Sequence, residues 1–262
     1  MLDRRSSLVA LALAVSLGAC NKEGARPEPV VVAQGPAAQK LLTPAPAEQA
    51  PSGTASIKGI VTLSGTPPEM ALTKRDADPF CAKTPMKEEE VMVGKNGGLK
   101  NVIIRITKGI TGNYEPPTTN VTLDQSACMY RPRVAVVMAG QSLLIKNSDQ
   151  TLHNVHTYKG ASTLFNQAEV PGLPAIAKTF KDATGEILKF KCDVHPWMTG
   201  YVGVMGHPFF AVSDENGAFE IPKVPPGKYT VEAWHERYGT KATELTVAAN
   251  TPSDAKFVYE AK

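Results

Sequence analysis

The sequence predicts an all-β chain of two β-sandwiches, on three observations. From Ser56 onward, short runs rich in Val, Ile, Phe and Tyr follow one another between Gly, Pro and Asn punctuation, the residue types that half-buried sheet positions favour. Gly and Pro contribute 21 residues each to a chain of 262, which favours turns over long helices. Helix is expected at most around 69–78 and 127–130. In chain order the expected strands are 56–63, 102–107, 134–138, 142–146, 154–158, 187–191, 201–205, 209–213, 218–221, 229–234 and 244–247. Two turn signals punctuate the last of them: Asp214-Glu215-Asn216-Gly217, and Pro225-Pro226-Gly227 ahead of Lys228 and Tyr229.

Charge narrows the function classes. With 28 Lys+Arg against 25 Asp+Glu the formal charge is only +3. No basic run is interleaved with aromatics, so nucleic acid is not an expected partner. No apolar stretch reaches the ~20 residues that a membrane-spanning helix needs. Arg4 and Arg5 precede an apolar run over 8–19 that reads as a signal-peptide core. It ends Leu17-Gly18-Ala19-Cys20, which resembles the bacterial lipoprotein lipobox. The resemblance implies a signal peptide over 1–20, acylation of Cys20, export to the periplasm and a membrane attachment through lipid alone. Asn21 is not an inner-membrane retention signal of the Asp type, so the outer membrane is the expected destination. Ordinary cleavage, with Cys20 left free, is the alternative. Residues 21–55, with Pro27, Pro29, Pro36, Pro44, Pro46 and Pro51 among many alanines, cannot bury enough surface to offset their ordering entropy and read as a semi-extended tether.

The four cysteines are Cys20, Cys81, Cys128 and Cys192. If Cys20 is acylated, three remain in an oxidising compartment and cannot all pair. Cys192 has chemical company, because Cys192-Asp193-Val194-His195-Pro196-Trp197-Met198 places a thiol, an imidazole and a thioether on one short loop. Cys81 and Cys128 are then the natural disulfide; the alternative pairs Cys192 with one of them. All five histidines follow residue 150, and one segment reads His153-Asn154-Val155-His156 at the end of an expected strand. Two imidazoles, a thiolate and a weak axial thioether form the ligand set of blue-copper electron-transfer sites, soft enough for Cu(I) and acceptable to Cu(II).

These two segments resemble the cupredoxins, the amicyanin and plastocyanin branch in particular, over roughly 115–206. The resemblance implies a Greek-key β-sandwich, placed at 113–206, that holds one type 1 copper through His153, Cys192, His195 and axial Met198. It implies that Asn154 ties the two ligand segments together by hydrogen bonds. Pro196 and Trp197 either pack the loop or form an apolar rim through which electrons pass to a docked partner. His156 is a weaker ligand candidate, since three residues along a strand place it on the face opposite His153. Met205, on the next strand, reads as core, and His207 and His235 read as surface or hydrogen-bonded histidines.

The stretches 209–221 and 224–234 resemble the carboxypeptidase regulatory-like, transthyretin-like (Ig-like) β-sandwich. Strands of the kind that open that family occur at 57–65 and 101–106, ahead of the copper segment. The expectation is a smaller, discontinuous sandwich over 56–112 and 207–262, with the cupredoxin part inserted in one of its loops. That scaffold predicts no catalysis on its own. With no second copper centre, Ser-His-Asp set or phosphate cradle in sight, the chain reads as an electron carrier between redox protein partners rather than an enzyme. The alternatives are copper binding and delivery without redox cycling, and an adhesion or glycan-binding module.

Overall fold

The computed structural model describes residues 53–262; the signal segment, Cys20 and the tether up to residue 52 lie outside the described residues. Sixteen strands run through them. They are β1 (Ala55–Ser64), β2 (Ile103–Lys108), β3 (Val121–Ser126), β4 (Met129–Arg131), β5 (Val134–Met138), β6 (Leu143–Asn147), β7 (His153–Lys159) and β8 (Ser162–Glu169). Then follow β9 (Ile176–Lys178), β10 (Ile187–Lys191), β11 (Thr199–Met205), β12 (Phe210–Val212), β13 (Ala218–Val224), β14 (Gly227–His235), β15 (Gly239–Val247) and β16 (Ser253–Glu260). The chain is all-β, as the sequence predicts; the helical pieces among the described residues are three short 3₁₀ turns.

Every expected strand has a counterpart, and β3, β4, β8, β9 and β16 are additional. β8 is exposed at most positions, so it lacks the apolar alternation by which strands are read. β16 does alternate, burying Ala255, Phe257 and Tyr259 in step, a period-2 signal present in the sequence.

Neither helix expectation holds. Segment 69–78 is irregular because its backbone pairs with a later stretch: Thr73 N–H donates to Met86 O at 2.8 Å and Glu88 N–H to Ala71 O at 2.9 Å. At 127–130, Ala127 and Cys128 both have φ of 55°, and the chain turns there into β4. The tether expectation also ran slightly long, since Gly53 N–H already bonds Lys223 O at 2.9 Å and β1 begins at Ala55.

Four sheets result. The orders β5-β11-β10-β7-β8 and β4-β3-β6-β9 make one pair; β13-β1-β16 and β12-β2-β14-β15 make the other. β1 pairs antiparallel with β13 and parallel with β16, and β2 pairs with β12 and β14, so the second pair is built from both ends of the described chain. Its core packs Ile57, Val61, Ile104, Phe219, Val231 and Phe257. The first pair encloses Leu123, Val137, Ile145, Phe190 and Val204 together with Cys192 and Met198. A smaller cluster of Ile103, Val134, Val136 and Met205, with Trp234 against it, joins the two.

The Asp214–Gly217 turn shows why its residues are what they are. Asp214 Oδ1 accepts the N–H groups of Asn216 and Ala218 at 2.8 and 2.9 Å. Gly217 sits at φ 74°, where an added Cβ would lie 2.1 Å from Val61 O.

Candidate metal centre

β7 begins at His153, and the loop between β10 and β11 carries Cys192, His195 and Met198. β10 lies antiparallel to β7 with Lys191 opposite His156, so the end of β10 delivers Cys192 beside the start of β7. The loop closes on itself: Cys192 N–H donates to Met198 O at 3.2 Å and Met198 N–H to His195 O at 2.9 Å. His153, Cys192, His195 and Met198 are all buried, and Cys192 and Met198 share one core with Phe190.

The donor atoms converge. His153 Nδ1 and His195 Nδ1 are 2.9 Å apart, Cys192 Sγ is 3.6 Å from His195 Nδ1, and the three ligand atoms lie within 4.8 Å of one another. Behind each imidazole stands a carboxylate. Asp149 Oδ2 is 2.9 Å from His153 Nε2, and Asp78 Oδ2 is 2.9 Å from His195 Nε2. Carboxylates accept, so both Nε2 atoms carry the proton and both Nδ1 atoms of neutral rings are bare lone pairs. Two lone pairs and a sulfur facing one another in a buried space require a proton or a cation between them. A soft, N/S-ligated metal meets that requirement, and the residues present fit copper.

The electrostatics agree. Burial pushes the Cys192 thiol up, but the hydrogen bond from His153 and the backbone N–H groups of Asn154 and His195 bring it down to about 6. Burial pushes His153 down, while Asp149 and the Cys192 thiolate raise it to about 9. The downward shift favours the thiolate form of Cys192, the form that ligates a metal. Burial opposes the charge of Asp149 too, yet His153 and the N–H groups of Cys128 and Ala127 hold it below the usual carboxylate range. Asp78 is held lower still against its own desolvation by Thr151, His195, and the amides of Cys81 and Phe80.

Asn154 joins the two ligand segments. Its N–H donates to Cys192 Sγ at 3.5 Å, its Oδ1 accepts Asp193 N–H at 2.6 Å, and its Nδ2 donates to Asp193 Oδ2 at 3.1 Å. His156 faces away from the trio, held by Asp193 at 2.9 Å and stacked on Tyr158 with ring centroids 4.1 Å apart. Pro196 is exposed and Trp197 half-buried. Trp197 lies 5.0 Å centroid to centroid from His195, and its Nε1–H donates to Cys128 O at 3.0 Å. Met205 lies in the cluster between the two sheet pairs. His207 Nε2 bonds Ile106 O at 3.0 Å, and His235 is fully buried.

Cys81 and Cys128 form a disulfide with Cα atoms 5.7 Å apart, and Cys192 is free. The disulfide lies against the centre, with Cys81 Sγ 3.6 Å from His195 Nε2. Asp78, Cys81 and His195 also cluster, as do Cys128, Asp149 and His153, but the two cysteine sulfurs there are bonded to each other and supply no thiolate. The sequence reading missed both carboxylates. Asp149 stands four residues before His153 and was open to recognition by that spacing; Asp78 is 117 residues from His195 and carries no local signal.

Residues 203–260 match the carboxypeptidase regulatory-like domain. Among solved structures, the chain is similar to a novel purple cupredoxin from Nitrosopumilus maritimus, with 22% identity, 32% of this chain and 98% of that one covered, and a TM-score of 0.28. Amicyanin from Paracoccus versutus gives 23% identity, coverage of 38% and 96%, and a TM-score of 0.29. A copper-containing nitrite reductase from Thermus scotoductus SA-01 gives 19% identity, coverage of 38% of this chain and 25% of that one, and a TM-score of 0.29. No curated protein matches the chain. The carboxypeptidase regulatory-like resemblance read from the sequence is thus found again at the C-terminal end.

Proposed function

We propose that this chain is a lipid-anchored periplasmic electron carrier in which His153, Cys192, His195 and Met198 would hold one type 1 copper. The observation that carries this reading is the buried convergence of two imidazole Nδ1 atoms and a thiolate, with each Nε2 occupied by a carboxylate. When bound, copper would supply one-electron chemistry between its two oxidation states. The chain's own part is to hold the geometry: Cys192 as thiolate, both imidazoles neutral at Nδ1, and a closed strand-bound shell that keeps water out and limits rearrangement on electron transfer. Anchoring is assigned to Cys20, with the outer membrane as destination, and the partner is a redox protein that docks near Pro196 and Trp197.

The test is a visible spectrum of residues 21–262 after one equivalent of Cu(II). An intense band absorbing in the orange-red, bleached by ascorbate and absent from Cys192→Ser, is the expected result. A colourless protein that binds Cu(I) replaces this reading with copper delivery. No copper binding in either state overturns both, and an intense band retained in Cys192→Ser rules out the assigned thiolate.

A further inference from the structure

The imidazole of His195 is held from behind by a distant segment. Asp78 Oδ2 accepts the His195 Nε2–H at 2.9 Å and the Thr151 hydroxyl at 2.6 Å. Its Oδ1 accepts the N–H groups of Phe80 and Cys81 at 2.7 and 3.2 Å. Both oxygens are therefore committed to donors, and the His195 Nε2 must keep its proton. Nδ1 is left as a bare lone pair facing His153 Nδ1 and Cys192 Sγ.

The segment that presents Asp78 is pinned twice to the turn between β3 and β4. Cys81 is bonded to Cys128, and Arg75, only 3% exposed, donates to Thr84 O at 2.7 Å and to Ala127 O. The same turn donates its Ala127 and Cys128 N–H groups to Asp149, so both carboxylates hang from one stapled unit. Under this cover His195 is 1% exposed.

We propose that Asp78 is a positioning residue of the metal centre. It fixes His195 as the Nε2–H tautomer with Nδ1 presented to the metal, and the 75–84 segment stapled through Cys81–Cys128 caps that edge of the site. The inference rests on the copper reading above and adds to it a residue lying far upstream of the ligand loops.

Asp78→Asn tests it. An asparagine has one acceptor oxygen. With that oxygen on the Phe80 and Cys81 amides, its NH2 faces His195 Nε2 and favours the opposite tautomer, with the proton on Nδ1. In the metal-free variant, ¹⁵N NMR is expected to show His195 shifted from Nε2–H toward Nδ1–H. Copper affinity is expected to fall roughly 10–100-fold, the scale for groups that orient a ligand. Thr151→Val removes only the second donor to Oδ2 and is expected to keep both tautomer and affinity. If Asp78→Asn does not fold, the wild type still decides: a metal-free His195 found as Nδ1–H overturns the inference. Copper bound equally well by wild type and Asp78→Asn, with an unchanged tautomer, overturns the role of Asp78 alone. A wild type that binds no copper overturns the copper reading, and this inference with it.

Discussion

Met198 is fully buried beside Cys192, and its backbone closes the ligand loop at both ends. A Leu at this position keeps the volume and removes the thioether, so Met198→Leu is expected to bind copper, keep the thiolate band and show a raised reduction potential by voltammetry. His235 is a different kind of histidine. It is fully buried between Tyr238 and Tyr259, and burial, with Arg133 and Arg237 nearby, pushes its pKa down to about 4. The folded protein therefore resists a proton that the unfolded chain accepts near 6.5. Its contribution is intact above pH 6.5 and is lost as pH falls from there toward 4, on the order of 3 kcal/mol over the full span. Urea titrations of wild type and His235→Asn between pH 7 and 4 check this: the wild type is expected to lose stability more steeply than the variant.

At the level of segments, the disulfide is the strongest constraint on the cap over His195. It closes a loop of 47 residues, for which the chain-entropy account gives about 4 kcal/mol of stabilisation. The double variant Cys81→Ala/Cys128→Ala is expected to lose close to that amount in chemical denaturation. Copper binding should weaken along with it, because Asp78 and the Cys128 amide that supports Asp149 both sit on the released segments. The ligand strands should feel less: β7, β10 and β11 keep their own ladder, and the Tyr130 hydroxyl bonds both Asn154 O and Lys191 O at 3.1 and 3.0 Å without help from the disulfide.

Across the molecule, the two sheet pairs share an interface that is apolar at its centre and ionic at one edge. Arg133 donates from Nε and Nη2 to Glu236 at 2.5 and 2.7 Å, with side chains only 8% and 5% exposed. Removing one partner leaves a buried charge alone, so Arg133→Met is expected to cost ~3–5 kcal/mol. Pairing it with Glu236→Gln should restore a large part, because neither residue then carries an uncompensated charge. A denaturant curve of the single variant against the double checks this. The Ile103, Val134, Val136 and Met205 cluster supports a related expectation: Met205→Ala is expected to cost ~2–5 kcal/mol of stability in a denaturant titration.

Strand-forming residue types and turn chemistry are local properties, and they made the all-β architecture legible: β5 and β10 fall on the residues expected of them. Exposed β8 escaped because its pattern is weak, whereas β16 carries a period-2 alternation that was open to recognition. The ligand set was legible for the same reason, since C-x2-H-x2-M and His-Asn-Val-His pack their chemistry into two short stretches. What lay beyond the sequence was contact between remote segments. Whether 69–78 became helix turned on its pairing with 84–88, and whether 127–130 did turned on the Asp149 carboxylate capturing two amides. The cap on His195 depends on Asp78 crossing 117 residues of chain. No periodicity encodes such a meeting, because its stabilisation comes from groups that are neighbours only in the folded chain.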